Sequence, residues 1–241
     1  MLTQFRCALG FLTRLPGGGP GTLAAAAPAF PLVGLVIGAC QAMAATLALW
    51  AGLPPAIAAG LALAAGVLAT GGLHEDGLAD SADGLWGGGA TARRLEIMRD
   101  SRIGSYGVLA LILSLGLQGA ALTALLEAGA VWAPLLAAGA ISRAAMAVVM
   151  EALLPARTDG LSKGAGQPGG SGAVTSLAIG AGLTLILTGA GVVPILIAGA
   201  AAVFWLCNEA RARIGGQTGD ILGATQQLTQ ITALCVLAAR V

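Results

Sequence analysis

Charge is the scarcest property of this chain. Asp, Glu, Lys and Arg make up 10% of its 241 residues, against about 25% in soluble domains. Hydrophobic residues make up 57%, and mean hydropathy is +0.88. A chain this poor in charge cannot cover a watery surface, so a soluble domain is excluded and an integral membrane protein is indicated. Net charge is +1, so there is no basic field to attract nucleic acid. Aromatics are scarce, with a single Tyr, which removes base-stacking platforms as well. Cys7, Cys40, Cys207 and Cys235 form no Cys-x-x-Cys pair and sit in or beside apolar segments. Free structural thiols are therefore expected, not a metal site or disulfides. Arg6 and Arg14 near the N-terminus are not followed by a short apolar core and a small-residue cleavage site, so no removable signal peptide is expected.

What is abundant is small and apolar. Thirty-eight glycines and many alanines suit close helix packing in lipid. Apolar runs of spanning length lie near residues 30–50, 54–73, 104–126, 131–151, 173–189, 191–208 and 221–239. They predict an all-α polytopic bundle of about seven transmembrane helices in one domain, 1–241. The segment 173–208 reads either as two spans in a tight hairpin or as one broken helix. Ten of the 12 Lys and Arg fall before 30, in 74–103, in 152–172 or in 209–219. With seven spans these segments share one side, and the positive-inside rule puts them and the N-terminus in the cytoplasm. An inner-membrane protein with its active site at the cytoplasmic face is expected.

Against this background the run Gly71–Gly84 stands out. His74, the one histidine, and Glu75, Asp76, Asp80 and Asp83 fall within ten residues. On a helix Asp76, Asp80 and Asp83 share one face. Carboxylates so placed repel one another unless a cation lies between them. Hard oxygen donors suit Mg2+, which usually bridges carboxylates to substrate phosphates. The plain alternative is a helix end solvated at the membrane surface. Gly77 and Gly84 lack side chains and would let a bulky substrate approach the backbone.

A second charged cluster, Arg93–Gly107, has two readings. Arg93, Glu96, Arg99 and Asp100 pair along a helix in one. In the other, Arg99 and Arg102 hold phosphates, Asp100 joins the metal site, and Ser101 with the Gly104–Gly107 turn presents donors to an anion. Asp159-Gly160 reads as a turn. Asp220 reads as the N-cap of the last span, with Thr218, Thr225 and Gln226 adding polarity at the same interface. Arg143 lies inside an apolar span and must pair with a carboxylate or face a ligand. His74 has base chemistry available but is more often structural at a helix entrance.

These motifs resemble the cobalamin synthase family of adenosylcobinamide-GDP ribazoletransferases. The matching pieces are Phe11-Leu12-Thr13-Arg14-Leu15-Pro16, Phe30-Pro31-Leu32-Val33-Gly34, Thr70–Gly84 and Arg94–Gly104. Ser142-Arg143, Arg157 with Asp159-Gly160, and Thr218–Gln227 follow in family order. The sequence departs from the family pattern between Pro16 and Phe30 and after Gly160. The resemblance implies a Mg2+-dependent inner-membrane enzyme. A hydroxyl of α-ribazole or its 5′-phosphate attacks the cobinamide-linked phosphorus of adenosylcobinamide-GDP, releasing GMP and giving adenosylcobalamin or its 5′-phosphate. Asp80-Ser81-Ala82-Asp83-Gly84 also resembles the Asp-x-x-Asp-Gly core of CDP-alcohol phosphatidyltransferases, although their following Ala-Arg is missing.

The expected metal ligands are Asp76, Asp80, Asp83 and Asp100, with Glu75. Arg99, Ser101, Arg102, Arg143, Asp159, Thr218 and Gln226 are expected to bind substrate. Asp83, Asp100 and His74 are the catalytic candidates, with Asp83 or Asp100 taking the proton. Asp83→Asn is expected to abolish turnover in a folded protein. Membrane lipid is an expected partner, and a homo-oligomer is left open. A lipid phosphatidyltransferase and a small ion-coupled transporter are the rival readings.

Overall fold

The computed structural model describes residues 1–157 and 166–241, and the described residues are helical with no strand. The helices are α1 Leu2–Leu12, α2 Leu23–Ala26, α3 Phe30–Trp50, α4 Pro55–Thr70, α5 Leu73–Gly87, α6 Thr91–Ile97, α7 Ser105–Glu127, α8 Trp132–Ala152, α9 Gly169–Thr188, α10 Val192–Ile214 and α11 Gly219–Ala238. Every apolar run read from the sequence falls on one of them. Five helical stretches are by themselves long and apolar enough to cross a membrane. They are Leu23–Trp50, Ser105–Glu127, Trp132–Ala152, Gly169–Ile214 and Gly219–Ala238. A sixth is counted if α4 and α5 are joined across their 89° bend. The shortfall from seven has two sources. With 16 residues, α4 spans about 24 Å, against about 30 Å of bilayer core. In addition, α9 and α10 follow each other directly through a 3-10 turn at Gly189–Gly191 and so count as one stretch.

That run is turned at Gly189, whose φ of 55° and ψ of −131° suit only glycine. Of its two halves, α9 packs against the Ala27–Ala29 turn, and the end of α10 meets α6, where the Thr91 hydroxyl donates to the Arg213 carbonyl at 3.1 Å. Gly191 lies instead against Leu237, at the far end of α11.

The buried centre is α8, which packs on α3, α9 and α11. Small residues set these approaches. A Cβ placed on Gly34 would fall 2.1 Å from the Gly139 carbonyl oxygen, and one on Gly38 would fall 2.5 Å from that of Leu135. Dispersion and close backbone contact, not exclusion of water, hold helices together in lipid, so such approaches are where packing is gained.

Two consecutive left-handed glycines, Gly71 (φ +70°) and Gly72 (φ +74°), end α4 and redirect the chain. Other residues there would be strained. The 89° turn takes α5 off the axis of α4 and lays it against α7 and α11. The crossing with α11 is made by Gly77 and Gly223. A Cβ on Gly77 would meet the Gly223 Cα at 3.1 Å and the Asp220 carbonyl oxygen at 3.0 Å. Gly84 is likewise covered, by Met98 at 2.2 Å from an added Cβ. The two glycines expected to admit substrate to the backbone instead admit neighbouring protein.

Candidate active site

The three aspartates of α5 share a face, but they enter different surroundings. Asp76 is exposed, Asp80 is half-buried, and Asp83 is 6% exposed. One oxygen of Asp83 accepts the N–H of Gly104 at 2.6 Å and the other accepts the N–H of Gly107 at 2.9 Å. Gly104 is the N-cap of α7, so Asp83 supplies acceptors and negative charge to that helix start from a distant part of the chain. Added Cβ atoms on Gly104 and Gly107 would fall 2.4 and 2.5 Å from the carboxylate oxygens. The anion for which this turn presents donors is therefore Asp83 itself.

The glycine crossing brings Asp220 to the aspartate face. The N-cap of α11 is Thr218, whose hydroxyl accepts the N–H of Ile221 at 3.3 Å; Asp220 is the second residue of the helix. This corrects the expected cap. Thr218 is buried, and its hydroxyl donates to the Asp220 carboxylate at 3.0 Å. Burial, then the charges of Asp76, Asp220 and Asp83, push the Asp80 carboxyl up to about 7, with Arg157 pulling the other way. Arg157 comes from the segment after α8, which is tied to the loop before α11. The Ala156 N–H donates to the Gln217 carbonyl, and the Gln217 N–H to that of Leu154, both at 2.8 Å. Arg157 also donates to the Leu95 carbonyl at 2.8 Å.

Two clefts flank this face and share Ile103. One, of about 640 Å³, is lined by Asp76, Arg14, Phe11 and the Thr70–Leu73 bend. The other, of about 420 Å³, is lined by Asp83, Asp100, Arg102 and Tyr106. Asp100 accepts from the Arg102 side chain at 2.6 to 3.1 Å and from its backbone N–H at 3.1 Å, and these bonds hold its carboxyl down to about 2. Arg99 and Ser101 are exposed on the same loop.

Other expected site residues lie elsewhere. Glu75 points into the bundle, where it accepts from Gln227 at 2.9 Å. Arg143 donates to Gln230 at 2.7 Å and to Ser142 at 3.0 Å, and Gln226 donates to Gln230 at 2.7 Å. Gln118 joins Gln227 to Gln230, so α5, α7, α8 and α11 share one buried polar network. Polar groups inside a bundle need such partners. His74 is buried, and among the described residues neither ring nitrogen finds a hydrogen-bond partner; burial, then the Arg143 charge, hold its pKa well below the usual histidine value. Burial therefore favours the neutral imidazole. Asp159 lies outside the described residues. Asp220, Arg157 and Arg14 are the site residues that sequence reasoning did not select. The available signal for Asp220 was the pair of glycines, Gly77 and Gly223, one turn from acids on separate helices.

A family model described as Cobalamin-5-phosphate synthase matches residues 4–238. The chain belongs to this family. A curated relative from Bradyrhizobium diazoefficiens, named adenosylcobinamide-GDP ribazoletransferase, is 45% identical over 249 residues, covering 99% of this chain and 94% of the relative. Relatives with the same name from Azorhizobium caulinodans and Rhizobium etli are 45% and 43% identical, covering 97% and 96% of this chain and 94% of each relative. No solved structure matches.

For a Cobalamin-5-phosphate synthase family member the fit of a divalent cation can be judged from the donors. Among the described residues, no three His, Cys, Asp or Glu side chains are grouped so as to hold a metal ion by themselves. A Mg2+ ion seldom needs such a group: it keeps waters and takes one or two carboxylates together with substrate phosphates. The Asp80 carboxyl is raised first by burial and then by the negative charges of Asp76, Asp220 and Asp83, so the group gathers carboxylate charge that Arg157 offsets only in part. An open site with surplus hard-oxygen charge fits that mode of binding.

Proposed function

We propose that this chain is a Mg2+-dependent adenosylcobinamide-GDP ribazoletransferase. The observation that carries the reading is the electrostatically coupled group Asp76, Asp80 and Asp220, from two helices, with Asp76 lining the larger cleft, in a chain of this family. The acceptor is α-ribazole or its 5′-phosphate. Its hydroxyl oxygen forms the new bond to the cobinamide-linked phosphorus, the bond from that phosphorus to the bridging oxygen breaks, and GMP departs. One or two carboxylates of the set Asp76, Asp80 and Asp220 would hold the cation together with substrate phosphate, and the cation would supply charge for the diphosphate and the leaving phosphate. The hydroxyl proton goes to a carboxylate of this set. Asp100 is a poor base because Arg102 holds it near 2. Asp83 already serves α7 with both oxygens, so its part is to position the loop that walls the smaller cleft. Arg157 offsets the same negative face and steadies the array before substrate arrives.

The topology belongs to the same proposal: seven crossings of the inner membrane, with the aspartates and basic loops cytoplasmic. A turn at Gly189, and α9 and α10 returning to the end that carries α6, support a hairpin. The clustering of Arg residues at that end supports the orientation.

The test is purified protein with adenosylcobinamide-GDP, α-ribazole and Mg2+, following cobalamin and GMP together. Equal formation of both, abolished by EDTA and restored by Mg2+, is expected. No product from a folded, lipid-supplemented preparation would sink the reading.

A further inference from the structure

We infer that Arg14 is a phosphate-binding residue of this site, holding a substrate phosphate in the cleft beside Asp76. The inference rests on the transferase reading and deepens it. Neighbouring guanidinium groups are committed. Arg102 is bound to Asp100, Arg213 to Glu209, Arg93 to Glu96, and Arg157 to the Leu95 carbonyl. Arg94 donates to the Leu85 carbonyl. Arg14 differs. Its backbone N–H donates to the Ala69 carbonyl at 2.8 Å, which fixes the root of the side chain at the end of α4. The side chain then lies over Gly71, where an added Cβ would fall 2.4 Å from Nε and 3.0 Å from Cγ. Among the described residues the guanidinium makes no hydrogen bond or ion pair, yet it lines the cleft of about 640 Å³.

The companions in that cleft define the ligand. Asp76 brings a carboxylate suited to a cation, and Arg14 brings a planar donor fork suited to an anion. A cleft with both fits a phosphate that arrives with a divalent ion. The opposite cleft is less suited, because its Arg102 is already neutralised by Asp100. The phosphate comes from one of two sources: the diphosphate of adenosylcobinamide-GDP or the monoester of α-ribazole 5′-phosphate.

Steady-state kinetics at saturating Mg2+ separate them, with α-ribazole as acceptor in one series and α-ribazole 5′-phosphate in the other. Arg14→Ala should raise the KM of the phosphate-bearing substrate roughly ten- to hundredfold, the worth of a charge-assisted hydrogen bond. Arg14→Lys, which keeps charge but loses the fork, should fall between. The KM for α-ribazole itself, which carries no phosphate, should not move. A rise for adenosylcobinamide-GDP with either acceptor identifies the diphosphate; a rise confined to α-ribazole 5′-phosphate identifies the monoester. KM values within twofold of the parent in both series overturn the inference. So does a loss equal in Arg14→Ala and Arg14→Lys that tracks a lowered thermal midpoint, since that is the signature of lost packing on Gly71. Parent activity in the same assays tests the transferase reading separately. Equilibrium dialysis of GDP against parent and Arg14→Ala needs no turnover: at least tenfold weaker retention by the variant identifies the diphosphate as the ligand, and equal retention by the two excludes it.

Discussion

Asp83→Asn distinguishes a carboxylate that does chemistry from one that holds a helix in place. In the structure both Asp83 oxygens accept backbone N–H groups at the start of α7, at 2.6 and 2.9 Å. Asparagine keeps one acceptor oxygen and turns an NH2 toward the other N–H. One hydrogen bond to a charged group is lost, about 1.5–3 kcal/mol. The attraction between the negative charge and the helix start, about 0.3–1 kcal/mol, goes with it. A destabilisation of roughly 2–4 kcal/mol follows, large against the total stability of a typical fold. The loop carrying Asp100, Arg102 and Ile103 is anchored at Gly104, so turnover should fall together with stability. Gly107→Ala is the companion variant: its Cβ would fall 2.5 Å from a carboxylate oxygen, displacing the group without altering its chemistry. Thermal midpoints and turnover of detergent-purified variants are the assays. Both variants should unfold several degrees early and lose activity. An Asp83→Asn protein of unchanged midpoint with at least a thousandfold loss in kcat, beside a fully active Gly107→Ala, would refute the positioning argument and return Asp83 to the chemistry.

Asp220→Asn should raise the Mg2+ concentration for half-maximal activity by at least about tenfold while leaving the fold intact, and an unchanged Mg2+ titration would remove Asp220 from the cation site. Gly77→Val should overpack the α5–α11 crossing at a cost of about 1–3 kcal/mol and separate Asp220 from Asp76, read as an early thermal transition with weakened Mg2+ dependence. Because the Asp80 carboxyl is raised to about 7, the folded state binds more protons than the unfolded chain between about pH 4 and 7. Its contribution is fully present below pH 4 and is lost as pH rises through 7, so the metal-free protein should lose midpoint from pH 5 to pH 8, and Mg2+ should restore more at pH 8 than at pH 5. Asp100→Asn should leave the activity profile between pH 5 and 8 unchanged in shape, since Asp100 stays ionised down to about 2; a limb lost in that range would show that Asp100 titrates in the reaction.

Much of this protein was written locally. Apolar runs of spanning length, broken by Gly, Pro and charge, determined where the helices lie, because lipid forces each backbone segment to satisfy its own hydrogen bonds. The run His74–Gly84 has helical spacing, and that alone put Asp76 and Asp80 on one face. What periodicity cannot carry is how helices meet. Asp83 and Glu75 are acids of the same short helix, yet one caps α7 and the other enters a buried network with Gln227. Which way each turns depended on the 89° bend at Gly71-Gly72 and on the Gly77–Gly223 crossing. The same crossing brought Asp220, 140 residues from Asp80 in the sequence, into its electrostatic field. Arg143 and Arg102, equal as charges in the sequence, found different partners, Gln230 inside and Asp100 at the surface. Spacing along a chain determines faces; backbone contact between glycines, possible only where no Cβ intervenes, decided which faces became a site.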